Sequence, residues 1–140
     1  VPYQRCYCSI CRKTQGGGYA INLGGEAASL RVEGSAQVRV YRAKIRNPED
    51  HRARQSTGER HFCGVCGSAL WVFDPRWPEL VHPFASAIDT ELPVPPAHTH
   101  LMLDFKPAWV EVEKHAGDKI FARYPDESLA EWHERHGLSG

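Results

Sequence analysis

Short runs in which apolar and polar residues alternate recur along the chain: "YAINL" (19–23), "SLRVEG" (29–34), "QVRVYRA" (37–43), "ALWVF" (69–73), "HLMLDF" (100–105) and "AWVEVE" (108–113). In "QVRVYRA", Val38 and Val40 fall on one face while Gln37, Arg39 and Tyr41 fall on the other, the period of a half-buried strand. Between the runs stand Gly16 to Gly18, Gly24 with Gly25, Gly34, and prolines at 75, 78, 83, 93, 95 and 96, residues that supply unusual dihedrals or remove a donor at turns. The pattern predicts a mainly β protein with antiparallel strands. Residues 44–58, "KIRNPEDHRARQSTG", break the rhythm and read as a long hairpin loop or an insertion, and "LPVPP" (92–96) as a stiffer connection. Helical signals occur in two places. One is a short turn after Cys8; the other is "DESLAEWHERHG" (126–137), where Asp126 or Ser128 can cap the first turn and Gly137 can end the last. Leu129, Trp132, His133 and His136 would lie along one stripe of that C-terminal helix.

Composition narrows this to one domain over residues 1–140, because a chain this long buries a fair core without splitting. No apolar run is long enough to span a bilayer. Seventeen basic and seventeen acidic residues cancel, which argues against a nucleic acid or an anionic membrane as partner. Locally, residues 39–60 hold seven Lys or Arg (Arg39, Arg42, Lys44, Arg46, Arg52, Arg54, Arg60) against Glu49, Asp50 and Glu59; a solvated loop is the plainer reading, an anion-binding rim the sharper one. The chain opens at Val1 without a basic-then-apolar leader, so a cytoplasmic protein is expected.

The chemistry sits in five cysteines: Cys6, Cys8 and Cys11 within six positions, and Cys63 with Cys66 in "CGVCG". An odd count without a leader speaks against a secreted disulfide framework. A thioredoxin-like redox pair would need its first cysteine at a helix start inside a βαβ unit, which antiparallel strands do not provide. Metal binding is left, with zinc the natural ion, since C-x-x-C forms a tight knuckle whose two sulfurs reach one tetrahedral centre. Gly64 and Gly67 would permit the left-handed turn of the second knuckle. Two partitions stay open. Cys8, Cys11, Cys63 and Cys66 could close one structural site, worth about 10 kcal/mol and so comparable to the stability of the domain. Alternatively Cys6, Cys8 and Cys11 hold an ion of their own and leave one coordination position for an exogenous ligand, as catalytic zinc sites do. Among the histidines, His98 with His100 share one strand face and His133 with His136 one helix face, but with no carboxylate converging on either pair both read as surface. Trp71 and Phe73 read as core before pocket.

Taken together, "RCYCSICRKTQGGG" (5–18), "RHFCGVCGSALW" (60–71) and "HLMLDFKPAW" (100–109) resemble the glutathione-dependent formaldehyde-activating enzyme family, which also contains centromere protein V-like members. The resemblance implies a β-tent fold of small antiparallel sheets around zinc, with two ions per chain. It also implies that Cys6, Cys8 and Cys11 ligate the active-site zinc and serve the catalysis, and that Cys63 and Cys66 form half of a structural site. The other half of that site in the family comes from a C-x-C-G segment on an earlier strand, which would precede Val1. The activity implied is that of a zinc-dependent carbon-sulfur lyase acting on a thiol-aldehyde adduct such as S-(hydroxymethyl)glutathione, with a small thiol such as glutathione as partner. Arg12, Lys13 and the basic stretch could then hold the carboxylates of such a thiol. The competing expectation is a non-catalytic zinc-ribbon-like module that docks protein or chromatin, indifferent to loss of Cys6.

Overall fold

A computed structural model of the chain describes residues 1–46 and 52–138. Its strands are β1 (Gln4–Cys6), β2 (Ala20–Asn22), β3 (Gly25–Glu26), β4 (Val38–Tyr41), β5 (Lys44–Arg46), β6 (Ala53–Gln55), β7 (Glu59–Cys63), β8 (Ala69–Phe73), β9 (Leu80–Pro83), β10 (Thr99–Leu101) and β11 (Lys119–Ile120). Two short helices, α1 (Ser9–Gln15) and α2 (Leu129–Arg135), complete the regular structure together with 3-10 turns. The protein is therefore mainly β, built of small sheets with one short helix near its C-terminus. Among the described residues no helix is long and apolar enough to cross a membrane.

Among the described residues three sheets form, in the orders β11-β10-β1-β2, β3-β9-β8-β7-β4 and β5-β6. The second and third are antiparallel throughout. In the first, β1 runs antiparallel to β2 but parallel to β10, with Cys6 opposite Leu101, and β10 runs parallel to β11. Among the described residues, antiparallel pairing thus holds at every seam but these two. Parallel neighbours need a long connection, and here nearly a hundred residues separate β1 from β10.

Most expected elements are present. The hairpin expected in 44–58 contains β5 and β6, while residues 47–51 of that stretch lie outside the described residues. α2 starts at Ser128, whose hydroxyl accepts from Glu131 N–H while the Glu131 carboxylate accepts from Ser128 N–H, a complete capping box. Trp132 on the expected stripe is 1% exposed. Leu129 packs into the space that a side chain on Gly24 would fill.

Three expectations differ. "SLRVEG" forms no strand: 3-10 turns at Ala27–Ser29 and Ser35–Gln37 flank it, and Arg31 folds back onto the carbonyls of Ala28 and Leu30. "AWVEVE" forms none either, although its alternation is real, since Val110 is buried and its neighbours are exposed. Val110 seats against the bare backbone of Gly18, where a Cβ would come within 3.1 Å of its methyls; one-sided burial is met without a strand beside it to share hydrogen bonds. "HLMLDF" is strand only to Leu101, and Met102 enters the left-handed region at φ 63° to start a 3-10 turn. Finally, β4 forms as expected, yet as an edge strand with Val40 exposed.

Candidate functional site

The sulfurs of Cys6, Cys8 and Cys11 lie within 4.8 Å of one another, and among the described residues theirs is the only group of three or more metal-ligating side chains so close. Each is placed by a different local device. Cys6 ends β1, pinned between Ala20 of β2 and Leu101 of β10. Cys8 is the N-cap of α1, in extended conformation, and its Sγ accepts from Cys11 N–H at 3.3 Å. Cys11 sits one turn into α1 at 2% exposure. Gly16 then stops the helix at φ 78°, its N–H donating to Arg12 O, the usual left-handed termination. Cys6, Cys11, Ala20 and Leu101 form one buried cluster with Cys8 and Met102 packed on it, so the sulfurs are at once core atoms and candidate ligands.

Their ionisation is correspondingly perturbed. The Cys8 thiol is lowered, because the thiols of Cys11 and Cys6, the latter 3.5 Å away, both donate toward it. The Cys6 thiol is raised by those same contacts, to Cys11 first, and then by burial. Cys11 is also raised: its contact with Cys6 pulls it down, but the contact with Cys8 and burial outweigh this. Three soft donors with one already favoured as thiolate suit zinc. A tetrahedral ion about 2.3 Å from each sulfur needs sulfurs about 3.8 Å apart, and the observed spacing fits that need.

Cys63 and Cys66 do not join this group. They lie at the turn between β7 and β8, where Cys63 N–H donates to Ser68 O and Gly67 N–H to Cys63 O. The Cys66 thiol is exposed and lowered, first by its hydrogen bond with the Ser68 hydroxyl at 3.1 Å. His61, a conceivable partner, is instead stacked on Trp71 with ring centres 4.6 Å apart and holds Glu59 O through Nδ1. Of the two glycines only Gly67 is left-handed, at φ 79°. Gly64 is needed for a different reason: a Cβ there would stand 2.7 Å from Arg39 Nε and 3.0 Å from Gln37 O.

Two arrangements were not expected. The first surrounds His100, which is fully buried and not on the surface. Its Nε2 donates to Asp118 Oδ2 at 2.9 Å, and its Nδ1 faces the Tyr7 hydroxyl at 2.9 Å. With the carboxylate able only to accept, Nε2 carries the proton. Asp118 also accepts from the backbone N–H groups of His98 at 2.7 Å and His115 at 3.1 Å. Burial pushes its carboxyl up, but these hydrogen bonds prevail and hold it at about 2. Asp118 is the converging carboxylate, distant in sequence, that "HTH" alone does not reveal. Burial likewise lifts the Tyr7 hydroxyl to about 12. Because Tyr7 lies between Cys6 and Cys8, the chain Tyr7, His100, Asp118 anchors the cysteine-bearing loop from behind.

The second is Arg60, which does not belong to a solvated loop: its guanidinium donates to Cys11 Sγ at 3.5 Å and Thr14 Oγ1 at 3.4 Å. Arg60 and Thr14 line a cleft of about 270 Å³ with Tyr41, His61, Phe62, Gly67, Ala69 and Phe84. Trp71 and Phe73 are not among its walls. Arg12 is committed to the backbone carbonyls of Tyr7 and Phe105, and Lys13 is exposed. A wider hollow against α2, lined by Lys119, Asp126, Glu127, Glu131, Glu134 and Arg135, contains no thiol.

These sulfurs could hold a soft divalent metal and, through it, a thiol ligand. The family model described as "Glutathione-dependent formaldehyde-activating enzyme" matches residues 2–103. A protein of Halomonas elongata named "Putative glutathione-dependent formaldehyde-activating enzyme" is 62% identical over 138 residues, covering 98% of this chain and 84% of its own. On both grounds, the chain belongs to the glutathione-dependent formaldehyde-activating enzyme family.

Proposed function

We propose that the protein is a zinc-dependent carbon-sulfur lyase that joins glutathione and formaldehyde, or cleaves their adduct, with Cys6, Cys8 and Cys11 holding the metal. The observation that carries this reading is the convergence of those three sulfurs within 4.8 Å, in a chain whose family and relative are named for that activity. Zinc held there would offer a soft fourth position to a substrate thiol and lower its pKa toward neutrality. In the addition, the S–H proton leaves, the sulfur lone pair forms the C–S bond, and the carbonyl π pair moves to oxygen, which takes up a proton; S-(hydroxymethyl)glutathione results. Cleavage runs the same steps backward.

The chain's own residues prepare this. Arg60 sets a fixed positive charge beside Cys11, offsetting part of the negative charge of three thiolates. Tyr7, His100 and Asp118 hold the Cys6–Cys8 segment rigid. Cys63 and Cys66 are proposed as half of a second, structural zinc site, as the family resemblance implies.

Elemental analysis and glutathione-dependent formaldehyde consumption test the proposal. Cys8→Ser is expected to release the equivalent of zinc bound by the first cluster and to abolish the catalysed rate, whereas Cys66→Ser leaves that ion in place. A fully zinc-loaded protein with no rate above the uncatalysed reaction would refute it.

A further inference from the structure

We infer that the cleft beside Cys11 binds the non-reacting part of a carboxylate-bearing thiol, and that Arg60 is its anion partner and the residue that sets specificity for such thiols. The inference rests on the proposed thiol chemistry for its purpose, but the site is built from residues outside the three-sulfur group.

Four observations carry it. The cleft adjoins the sulfurs directly, since Arg60 and Thr14, which line it, are the residues in contact with Cys11 and with the next turn of α1. Its volume, about 270 Å³, is far more than a two-heavy-atom aldehyde occupies and suits the body of a larger molecule. Its walls combine the aromatic Tyr41, His61, Phe62 and Phe84 with the small Gly67 and Ala69, so the one guanidinium among them fixes orientation.

That group is Arg60, whose guanidinium no carboxylate claims among the described residues. Arg42, Arg76, Arg123 and Arg135 each form an ion pair with a carboxylate at 3.3 Å or less. Arg60 forms none among the described residues; it donates to the Cys11 sulfur at 3.5 Å and, near the long limit of hydrogen bonding, to the Thr14 hydroxyl at 3.4 Å. A guanidinium has five donors in a planar fork that matches a carboxylate. A ligand carboxylate in the cleft supplies what the fold withholds, while its thiol points along the same side chain toward Cys11. Arg12 and Lys13 are excluded from this role by their placement: one is spent on backbone carbonyls, the other is exposed.

The experiment is a calorimetric titration of zinc-loaded wild type, Arg60→Gln and Tyr41→Ala with three probes. Two are matched thiols, 3-mercaptopropionate with a carboxylate and 2-mercaptoethanol without. The third is S-methylglutathione, which keeps its carboxylates but has no ionisable thiol. Wild type is expected to prefer 3-mercaptopropionate over 2-mercaptoethanol by about tenfold, the scale of one charge-assisted hydrogen-bonded pair. In Arg60→Gln the ratio of the two affinities is expected to fall to about one, and S-methylglutathione to weaken about tenfold. Tyr41→Ala, at an exposed edge-strand position that should leave folding intact, is expected to weaken S-methylglutathione severalfold. An unchanged ratio in Arg60→Gln, or S-methylglutathione that fails to bind or ignores both substitutions, overturns the inference. S-methylglutathione binding that depends on Arg60, in a protein without thiol-dependent formaldehyde turnover, would uphold the cleft and remove the lyase reading, so the two fail separately.

Discussion

Replacing Asp118 with asparagine isolates a single oxygen in a buried network, and the structure dictates what must go wrong. Oδ1 accepts His98 N–H and Oδ2 accepts both His115 N–H and His100 Nε2. The amide of asparagine has one accepting oxygen, and its NH2 must occupy the other position. Whichever way it turns, two donors face each other and at least one backbone N–H of this network loses its partner. An orphaned buried donor costs about 1–3 kcal/mol, and a hydrogen bond to a charged acceptor is worth about 1.5–3. Asp118→Asn should therefore destabilise the protein by about 2–3 kcal/mol. At about 2.1 cal/mol/K of unfolding entropy per residue, 140 residues convert this into a fall in Tm of about 7–10 °C, measurable by circular dichroism.

The pH dependence provides a second check with a definite sign. The folded-state carboxyl, at about 2, lies below its ordinary 3.8. The native state thus binds this proton less readily than the unfolded chain does, and the stabilisation is complete above about pH 4 and fades as pH falls toward 2. The difference between wild type and Asp118→Asn should be constant from neutrality to about pH 5 and shrink below pH 4. A variant melting within 2 °C of wild type at pH 7 would show that the network can rearrange and that the anchor behind the cysteine loop is not one.

Two further substitutions probe the scaffold. Trp132→Ala removes a side chain that is 1% exposed and should cost about 3–5 kcal/mol, read as a lower urea midpoint with an unchanged slope; a loss below 1 kcal/mol would mean that α2 docks by other contacts. Gly67→Ala places a methyl where nothing lies within 4 Å but where φ is 79°, so only the backbone conformation resists it. The expected cost is about 1 kcal/mol, or about 3 °C in Tm, and no change would mean that the turn relaxes.

How far the sequence foretold this molecule depended on whether the information was local. The capping box at Ser128 and the C-x-C-x-x-C cluster are written within a few consecutive residues, and both appear where expected. Alternation in "AWVEVE" correctly reported one-sided burial of Val110, but a strand also needs a neighbour, and periodicity carries no record of one. The same limit hid the parallel seam between β1 and β10. It also hid Asp118, which reaches His100 only because β10 and β11 lie side by side. Arg60 reads as one more cation in a basic stretch until β7 brings it against Cys11. Gly64 was correctly marked as special, but for close approach to Arg39 and Gln37 and not for its dihedral.

The three sulfurs span six consecutive positions, while Tyr7, between Cys6 and Cys8 in the chain, finds the partner of its hydroxyl 93 residues later. Gathering donors from so short a segment costs little chain entropy, whereas closing a loop that long is slow and comes late. In the proposed zinc-bound protein, ion capture by a nascent chain would thus precede the docking of β10, making the tyrosine clasp a seal set over a centre already assembled.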